Sequence, residues 1–516
     1  MAGPGSHKHV VRGCSWGAAA FGGPGCWLAL AALALPGAVS AQGSGLQASA
    51  SIDSRLSFNV NSRFGGRDDP WWTTEVTPAI RLQSRGGRVT GSLDYGLVLA
   101  AQTRSDKRTE VGNRLTGSFN ADVYDRRLFV DGRASITRQS TNAFATQYAQ
   151  GSSNDLFDVT NRTEVANVSL SPLWRGVLGT AVQYELRLLA DVSDSRGTTI
   201  GDQTRTGATA TVSSAISGTA LTWALNASGS ETEFKEGRST RSEQATATLG
   251  WMPDPDYSFS LRGGTERQDT DSSALRSSNT WGAGATWRPS PRTRVQLSYD
   301  DRFFGAGWTG VVEYRMPRSA ISVSSTRESS DGLGSQFSAV SQFDAYMAQY
   351  AEQIPNVAER EVFVRALLAT QQIDPNATVV PAFVTTAVSV SERHQLTLSW
   401  SGKRLSMSAQ AYRSQTQVID SLALAPSRLP ARQSGYTGSA SYRLDPQADL
   451  VLTGSRQMIG STDAQAGTDL KSLSLAYAYR QGLRTTLSLS ARYTVFNSTI
   501  EPYREASVQA ALGHRF

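Results

Sequence analysis

The chain has 516 residues, with 50 Lys and Arg against 44 Asp and Glu, 39% hydrophobic residues and only two cysteines. Its mean hydropathy is −0.31, and beyond the N-terminus no apolar run is long enough for a membrane-spanning helix. This excludes a helical membrane protein and a disulfide framework, but not a membrane barrel, whose strands alternate lipid-facing and lumen-facing residues.

His7, Lys8, His9 and Arg12 form a positive start, Trp27 to Leu35 an apolar core, and Val39-Ser40-Ala41 a small-residue cleavage site. Residues 1–41 therefore read as a secretory signal peptide, too short in its apolar part to span a bilayer as an anchor. Cys14 and Cys26 both fall inside it, so the mature chain, 42–516, is expected to carry neither disulfides nor thiolate metal sites. Cleavage also removes Lys8 and Arg12 and no acidic residue, which lowers the net charge from +6 to +4. The remaining charges are scattered along the sequence without a Lys/Arg block, which argues against a nucleic-acid partner.

From about Leu46 the chain repeats one pattern: an alternating run of about ten residues, a tight turn, another run, then a longer polar loop. Val89, Gly91, Leu93, Tyr95, Leu97 and Leu99 share one face, and Thr90, Ser92, Asp94 and Gly96 the other. Leu396, Leu398 and Trp400 alternate with Gln395, Thr397 and Ser399, and Leu487 to Val495 with Thr486 to Thr494. The short connections carry turn chemistry: Arg85-Gly86-Gly87-Arg88, Pro253-Asp254-Pro255-Asp256, Pro289-Ser290-Pro291, Gly402-Lys403-Arg404, Asp445-Pro446-Gln447 and Gln481-Gly482. The longer ones include Asn142 to Arg162, Asp194 to Arg205, Gln268 to Ser278 and Gln415 to Gln433. The expected fold is all-β, a transmembrane antiparallel up-and-down barrel of about 22 strands, with 16 as the lower bound.

Trp174, Trp251, Trp287 and Trp400 lie close to short turns, with Tyr257, Tyr442 and Tyr479, while Trp71-Trp72 lie at a long-loop end. Aromatics gathered at both rims are the girdles of a membrane barrel. Only Trp223 reads as a mid-strand tryptophan. Opposite the apolar residues of their runs fall Arg81, Asp94, Asp122, Asp131, Arg133, Glu185, Arg187, Arg262, Arg413, Arg443 and Arg492. Unpaired in a dry core such charges cost several kcal/mol each, whereas lining a wet lumen they cost little, so these residues are the candidate lumen lining.

The alternation lapses over residues 332–381. Ser341 with Asp344 and Asn356 with Glu359 resemble helix N-caps with an acidic residue three positions on. FDAYMAQYAEQ and VAEREVFVRALLAT follow, separated by Pro355 and bounded by Pro375 and Pro381. A helical insert between two strands is expected here, either as a plug folded into the lumen or as an ordered long loop on the rim.

The chain ends on ASVQAALGHRF, with Ala506, Val508, Ala510, Leu512, His514 and Phe516 on one face. A terminal strand closing on an aromatic resembles the strand by which bacterial outer-membrane barrels are recognised. Leu512, His514 and Phe516 are then the expected signal read by the barrel-assembly machinery.

The stretches Gly87 to Thr103, Asn113 to Ala145, EQIPNVAEREVFVRALLA (Glu352 to Ala369) and Ala382 to Ser414 resemble a family of outer-membrane barrels associated with exosortase (PEP-CTERM) systems. That resemblance implies a setting among exopolysaccharide biosynthesis and export functions in a Gram-negative cell, and transfers no catalytic residues. The resulting expectation is a bacterial outer-membrane conduit or accessory pore linked to exopolysaccharide export or surface assembly. The alternative is a non-conducting structural barrel that docks export or anchoring partners. Expected partners are outer-membrane lipid, the assembly machinery, a polysaccharide and export-system proteins, with no nucleic acid.

Chemistry is sparse. His394 and His514 are the only histidines of the mature chain, and neither has a companion at metal-ligand spacing or a serine in a nucleophile motif. Asp68-Asp69 and Asp300-Asp301 lack the alternating ligands of a calcium loop and read as solvated loop charges. No enzyme activity, cofactor or metal is expected. Strand patterning that begins near Leu46 leaves no room for the N-terminal plug domain of energy-coupled receptors.

Overall fold

The computed structural model describes residues 45–516 except 64–68, 104–108, 150, 153, 159, 199, 215–219, 271–272, 420–428, 430 and 483. Within 331–386 it describes only 343, 346–347, 360–361, 364–365, 368 and 383–385. The expected signal peptide, both cysteines and Asp68 lie outside the described residues.

The described chain is a closed antiparallel sheet of 22 strands. The first eight are β1 (Leu46–Arg63), β2 (Asp69–Gly86), β3 (Val89–Gln102), β4 (Thr109–Tyr124), β5 (Leu128–Ser140), β6 (Arg162–Leu178), β7 (Val182–Ser195) and β8 (Gln203–Ser214). There follow β9 (Leu221–Phe234), β10 (Ser239–Asp254), β11 (Tyr257–Thr270), β12 (Ser273–Ser290), β13 (Thr293–Arg302), β14 (Gly305–Arg315) and β15 (Ser319–Ser330). After the insert come β16 (Ser389–Ser401), β17 (Leu405–Val418), β18 (Arg432–Asp445), β19 (Ala448–Ile459), β20 (Thr468–Gln481), β21 (Thr485–Asn497) and β22 (Tyr503–Arg515). Each strand pairs with its successor, and β22 returns to β1 with a register from Ser51↔Arg515 to Arg63↔Tyr503. The Phe516 N–H adds a last bond to the Ala50 carbonyl (2.9 Å), so the terminal residue is tied into the seam. β1 opens at Leu46, where the alternation begins in the sequence.

The faces sort as the alternation predicts. Leu261 (65% exposed), Leu473 (56%), Leu225, Leu297, Leu489 and Val508 all point outward, uncovered by any other part of the described chain. A soluble protein rarely leaves apolar patches of more than a few hundred Å² in water; a band of such residues around a closed sheet is a surface made for lipid. Aromatic rings mark its two edges. Trp174 packs edge-on to Tyr184, Trp251 on Phe259 and Tyr257 on Trp287 at the short-turn rim. Phe58 packs on Trp72 and Trp281 on Tyr299 at the other. Trp223 faces outward three positions into β9, so it belongs to the short-turn girdle and not to a core. Trp71 is the reverse case: at 2% exposed it points inward, leaving only Trp72 to the girdle.

Turns follow backbone chemistry. Gly87 and Gly482 adopt φ of 78° and 71°, as tight hairpins require, while Asp125 and Arg126 adopt φ of 45° and 53° without being glycine. The Arg126 N–H is held there by Asp122 Oδ1 at 3.0 Å. The expected loop from Gln268 to Ser278 is instead mostly strand, since β11 and β12 run on to within two residues of each other.

Replacing Leu473 by Arg should cost about 2–4 kcal/mol if that position faces the bilayer midplane. Reversible denaturant unfolding of the barrel in phospholipid vesicles measures it; a change near zero would place β20's outer face in water.

The lumenal wall and two inward-folded segments

Ten of the eleven predicted lumen residues point inward. Asp131 accepts from Arg187 (2.9 Å) and from Asn120 (2.6 Å), and Arg187 also approaches Glu185 (3.6 Å), with Arg133 on the same face of β5. Arg262 pairs with Asp300 at 3.1 Å. Arg443 lies 3.9 Å from Asp449, which also takes Arg480 at 2.8 Å. Asp122 faces the lumen at the end of β4. Arg81 and Asp94 sit across from each other on β2 and β3, 3.9 Å apart. Arg492 is buried on β21 beside Glu505.

Arg413 is the exception. It shares the outward face with Met407, Ala409 and Ala411, and its neighbour Tyr412 points into the lumen, where Gln433 Nε2 donates to its hydroxyl (3.3 Å). Two small alanines carry little hydropathic weight, so the tyrosine misleads a count based on apolarity. His394 lies directly across from Arg413 on the same outer face, bonded to Glu392 at 2.9 Å. His514 is also outward, its Nδ1 3.0 Å from Thr485 Oγ1 and its ring 4.9 Å from that of Phe516. Leu512 and Phe516 are exposed on that face. Asp300 and Asp301 prove to be strand residues on opposite faces of β13 and cannot share a cation. No group of three or more His, Cys, Asp or Glu that could hold a metal occurs among the described residues.

Two segments fold into the barrel from the long-loop side. The first is the β5–β6 connection, residues 141–161. Glu505, 1% exposed on the inner face of β22, accepts from Ser152 Oγ (2.9 Å) and Asn154 Nδ2 (2.6 Å) of this connection. The Tyr503 hydroxyl donates to the Gln147 carbonyl (2.7 Å), and Asp155 pairs with Arg162 (2.6 Å). Ala143 and Phe144 are buried with Phe383 and Ile459. The second is the mid-chain insert, whose described residues 343, 346–347, 360–361, 364–365 and 368 are helical. Glu361 pairs with Arg81 and Arg365 with Asp94 (3.0 Å), which places this helical stretch against the inner wall. Tyr346, Val364 and Leu368 add a small apolar contact to Val451 of β19. The N-caps expected at Ser341 and Asn356 lie outside the described residues.

Opposite these contacts the wall is open. A cavity of about 700 Å³ is lined by Asn226, Gln244, Thr246, Ser260, Gln296 and Ser298, together with the Arg262–Asp300 pair and with Arg302, which is bound to Glu266. Its side chains are mostly short hydroxyls and amides, and its charges are paired with each other.

Several of these partners escape a reading of the sequence. Glu505 was reachable: extending the inner-face count from Gln509 through Ser507 arrives at it. Glu266 likewise shares the inner face of β11 with Arg262. Ser152 and Asn154 carry no signal of their own.

No protein-family model and no curated protein matches the chain. Among solved structures, the FrpB iron transporter of Neisseria meningitidis (F5-1 variant) aligns with a TM-score of 0.50 and 11% identity, over 90% of this chain and 82% of that one. Its apoprotein form gives 0.51 and 11%, over 90% and 81%. The siderophore receptor PirA of Pseudomonas aeruginosa gives 0.44 and 10%, over 90% and 80%. At such identity the likeness is one of fold. The chain is an outer-membrane β-barrel: closed, girdled by aromatics, and apolar on its outer face alone.

Replacing Glu505 by Ala should release residues 141–161 by removing the buried carboxylate that accepts from both Ser152 and Asn154. Limited proteolysis of the folded barrel should then cut within this segment at least roughly tenfold faster, as a loss of about 1.4 kcal/mol or more of anchoring implies. Unchanged cutting would show that the remaining contacts, the Tyr503–Gln147 hydrogen bond and the buried Ala143 and Phe144, suffice to hold it.

Proposed function

We propose that the barrel is a gated conduit for a polar solute, working in exopolysaccharide export or surface assembly. The observation that carries the reading is the inner wall: its cavity is lined mainly by hydroxyl and amide side chains with its charges paired, and it is met by an insert that docks through partly buried ion pairs and one small apolar contact. A permanent plug would bury a large apolar interface. Contacts of this kind release at modest cost, since the attraction within a partly buried ion pair is largely offset by the hydration that its charges regain on separating. The exopolysaccharide setting is supported by the sequence resemblance described above. The outward His514 and Phe516 at the seam support recognition of β22 by the assembly machinery.

Conductance across planar bilayers tests the conduit. Deleting residues 332–381, or combining Arg81→Ala with Asp94→Ala, should raise the open-state current several-fold over the intact chain. A barrel that stays sealed after the deletion would favour the docking role instead, with co-purifying export proteins as its positive mark. Removing Phe516 should deplete the heat-modifiable form in outer-membrane fractions, and Phe516→Tyr should restore it; normal assembly without Phe516 would place the signal elsewhere.

A further inference from the structure

The charges that run evenly along the sequence are sorted by the fold. Every second connection lands on the same rim, and the short-turn rim collects cations. Its connections expose Arg88, Arg126, Arg127, Arg292, Arg318, Lys403, Arg404 and Arg484, against Asp125, Asp254, Asp256 and Asp445. Turn residues alone would suit any acidic surface. The strand ends are more specific: Arg175, Arg294, Arg315, Arg443, Arg480 and Arg515 point into the lumen, from β6, β13, β14, β18, β20 and β22, and so surround its mouth.

The inward carboxylates at this level are fewer and shared. Asp449 serves both Arg443 and Arg480, Glu313 lies 3.9 Å from Arg315, Glu185 leans on Arg187, Asp53 of β1 is shared among Arg515, Arg55 and Arg114, and Asp122 caps a turn N–H. Arg294 donates to the neutral Gln296 (2.9 Å) with Glu313 across from it on β14, and the Arg175 guanidinium, across from Glu185, rests over the Phe129 ring, 4.3 Å from its centroid. Guanidinium donors therefore exceed their acceptors around the opening, and planar guanidinium groups match carboxylates in bidentate fashion. Lipid headgroups, which lie outside the barrel wall, do not reach inward-facing strand ends. A flexible chain that threads the opening does.

We propose that the short-turn mouth of the lumen is a binding site for a polycarboxylate chain, so that the solute of the conduit reading, on which this inference rests, is an acidic polysaccharide. Dense like charge at an opening raises the local concentration of the oppositely charged ligand and does so less at high salt. Deeper in, the paired charges of the wall present no net attraction, so the chain is gathered at the mouth and not trapped along the bore.

The test is binding of a fluorescent short polygalacturonate to the purified intact barrel in detergent, read by anisotropy, with dextran of matched length as the neutral probe. The barrel should bind the polygalacturonate, bind it more weakly as salt rises, and ignore dextran. Arg294→Glu, Arg315→Glu, Arg443→Glu and Arg515→Glu together should weaken binding by roughly tenfold or more. The four glutamine replacements should give a smaller loss, and serve as the comparison if the reversed set does not give a heat-modifiable barrel. Arg126→Ser, Lys403→Ser, Arg404→Ser and Arg484→Ser together should leave most of the affinity. Absence of binding by the wild-type chain overturns the proposal. So does equal binding of dextran, or loss in the turn set with none in the strand-end sets, which would move the site to the outer rim and to lipid or an acidic protein. The readout needs no open pore: a conducting barrel that ignores polygalacturonate fails this inference alone, and one that binds it but never conducts fails the conduit alone.

Discussion

Everything in this molecule depends on the requirement that a backbone crossing lipid satisfy its own hydrogen bonds. An unpaired N–H or C=O in hydrocarbon costs several kcal/mol, and a sheet can avoid that only by having no edge. The pairing of β1 with β22 is therefore the condition for the other pairings to exist in a bilayer at all. Closure also divides every strand into an outer face that must be apolar and an inner face that is free of that demand. The inner face is where polar and charged chemistry accumulates.

That division explains how much of the fold is legible in the sequence. Period-2 alternation, turn residues and rim aromatics are local, and each is repeated many times, so strand number and the inward placement of residues such as Asp131 and Arg262 can be counted out. The count fails where side-chain size misleads. Tyr412 outweighs Ala409 and Ala411 in hydropathy yet sits inside, and takes Arg413 to the outside with it. It fails again at Trp71 and Trp72, because two adjacent tryptophans cannot share a face.

The lumenal contents were less legible, for a different reason. A polar loop has the same composition whether it lies on the rim or folds inward. Ser152 and Asn154 gain their meaning only from Glu505, more than 350 positions later. Glu361 and Arg365 look like an ordinary i,i+4 helix pair until Arg81 and Asp94 appear opposite them. Charge sorting between the rims is invisible for the same reason: it is a property of where connections land, not of any single one.

The seam has one more consequence, which concerns how the barrel is made. Twenty-one of the pairings join neighbours in the chain, each formed by a hairpin or a single loop, and can zip in sequence. The last joins the two ends, and its chain-entropy cost grows only slowly with length, about 0.6 kcal/mol per doubling. The greater hazard is kinetic. Until β22 meets β1, the growing sheet carries two long apolar-flanked edges able to pair with any other strand. A chain of this design needs those edges held apart from their like until β22 arrives, and the strand that closes the ring is made only after the other twenty-one.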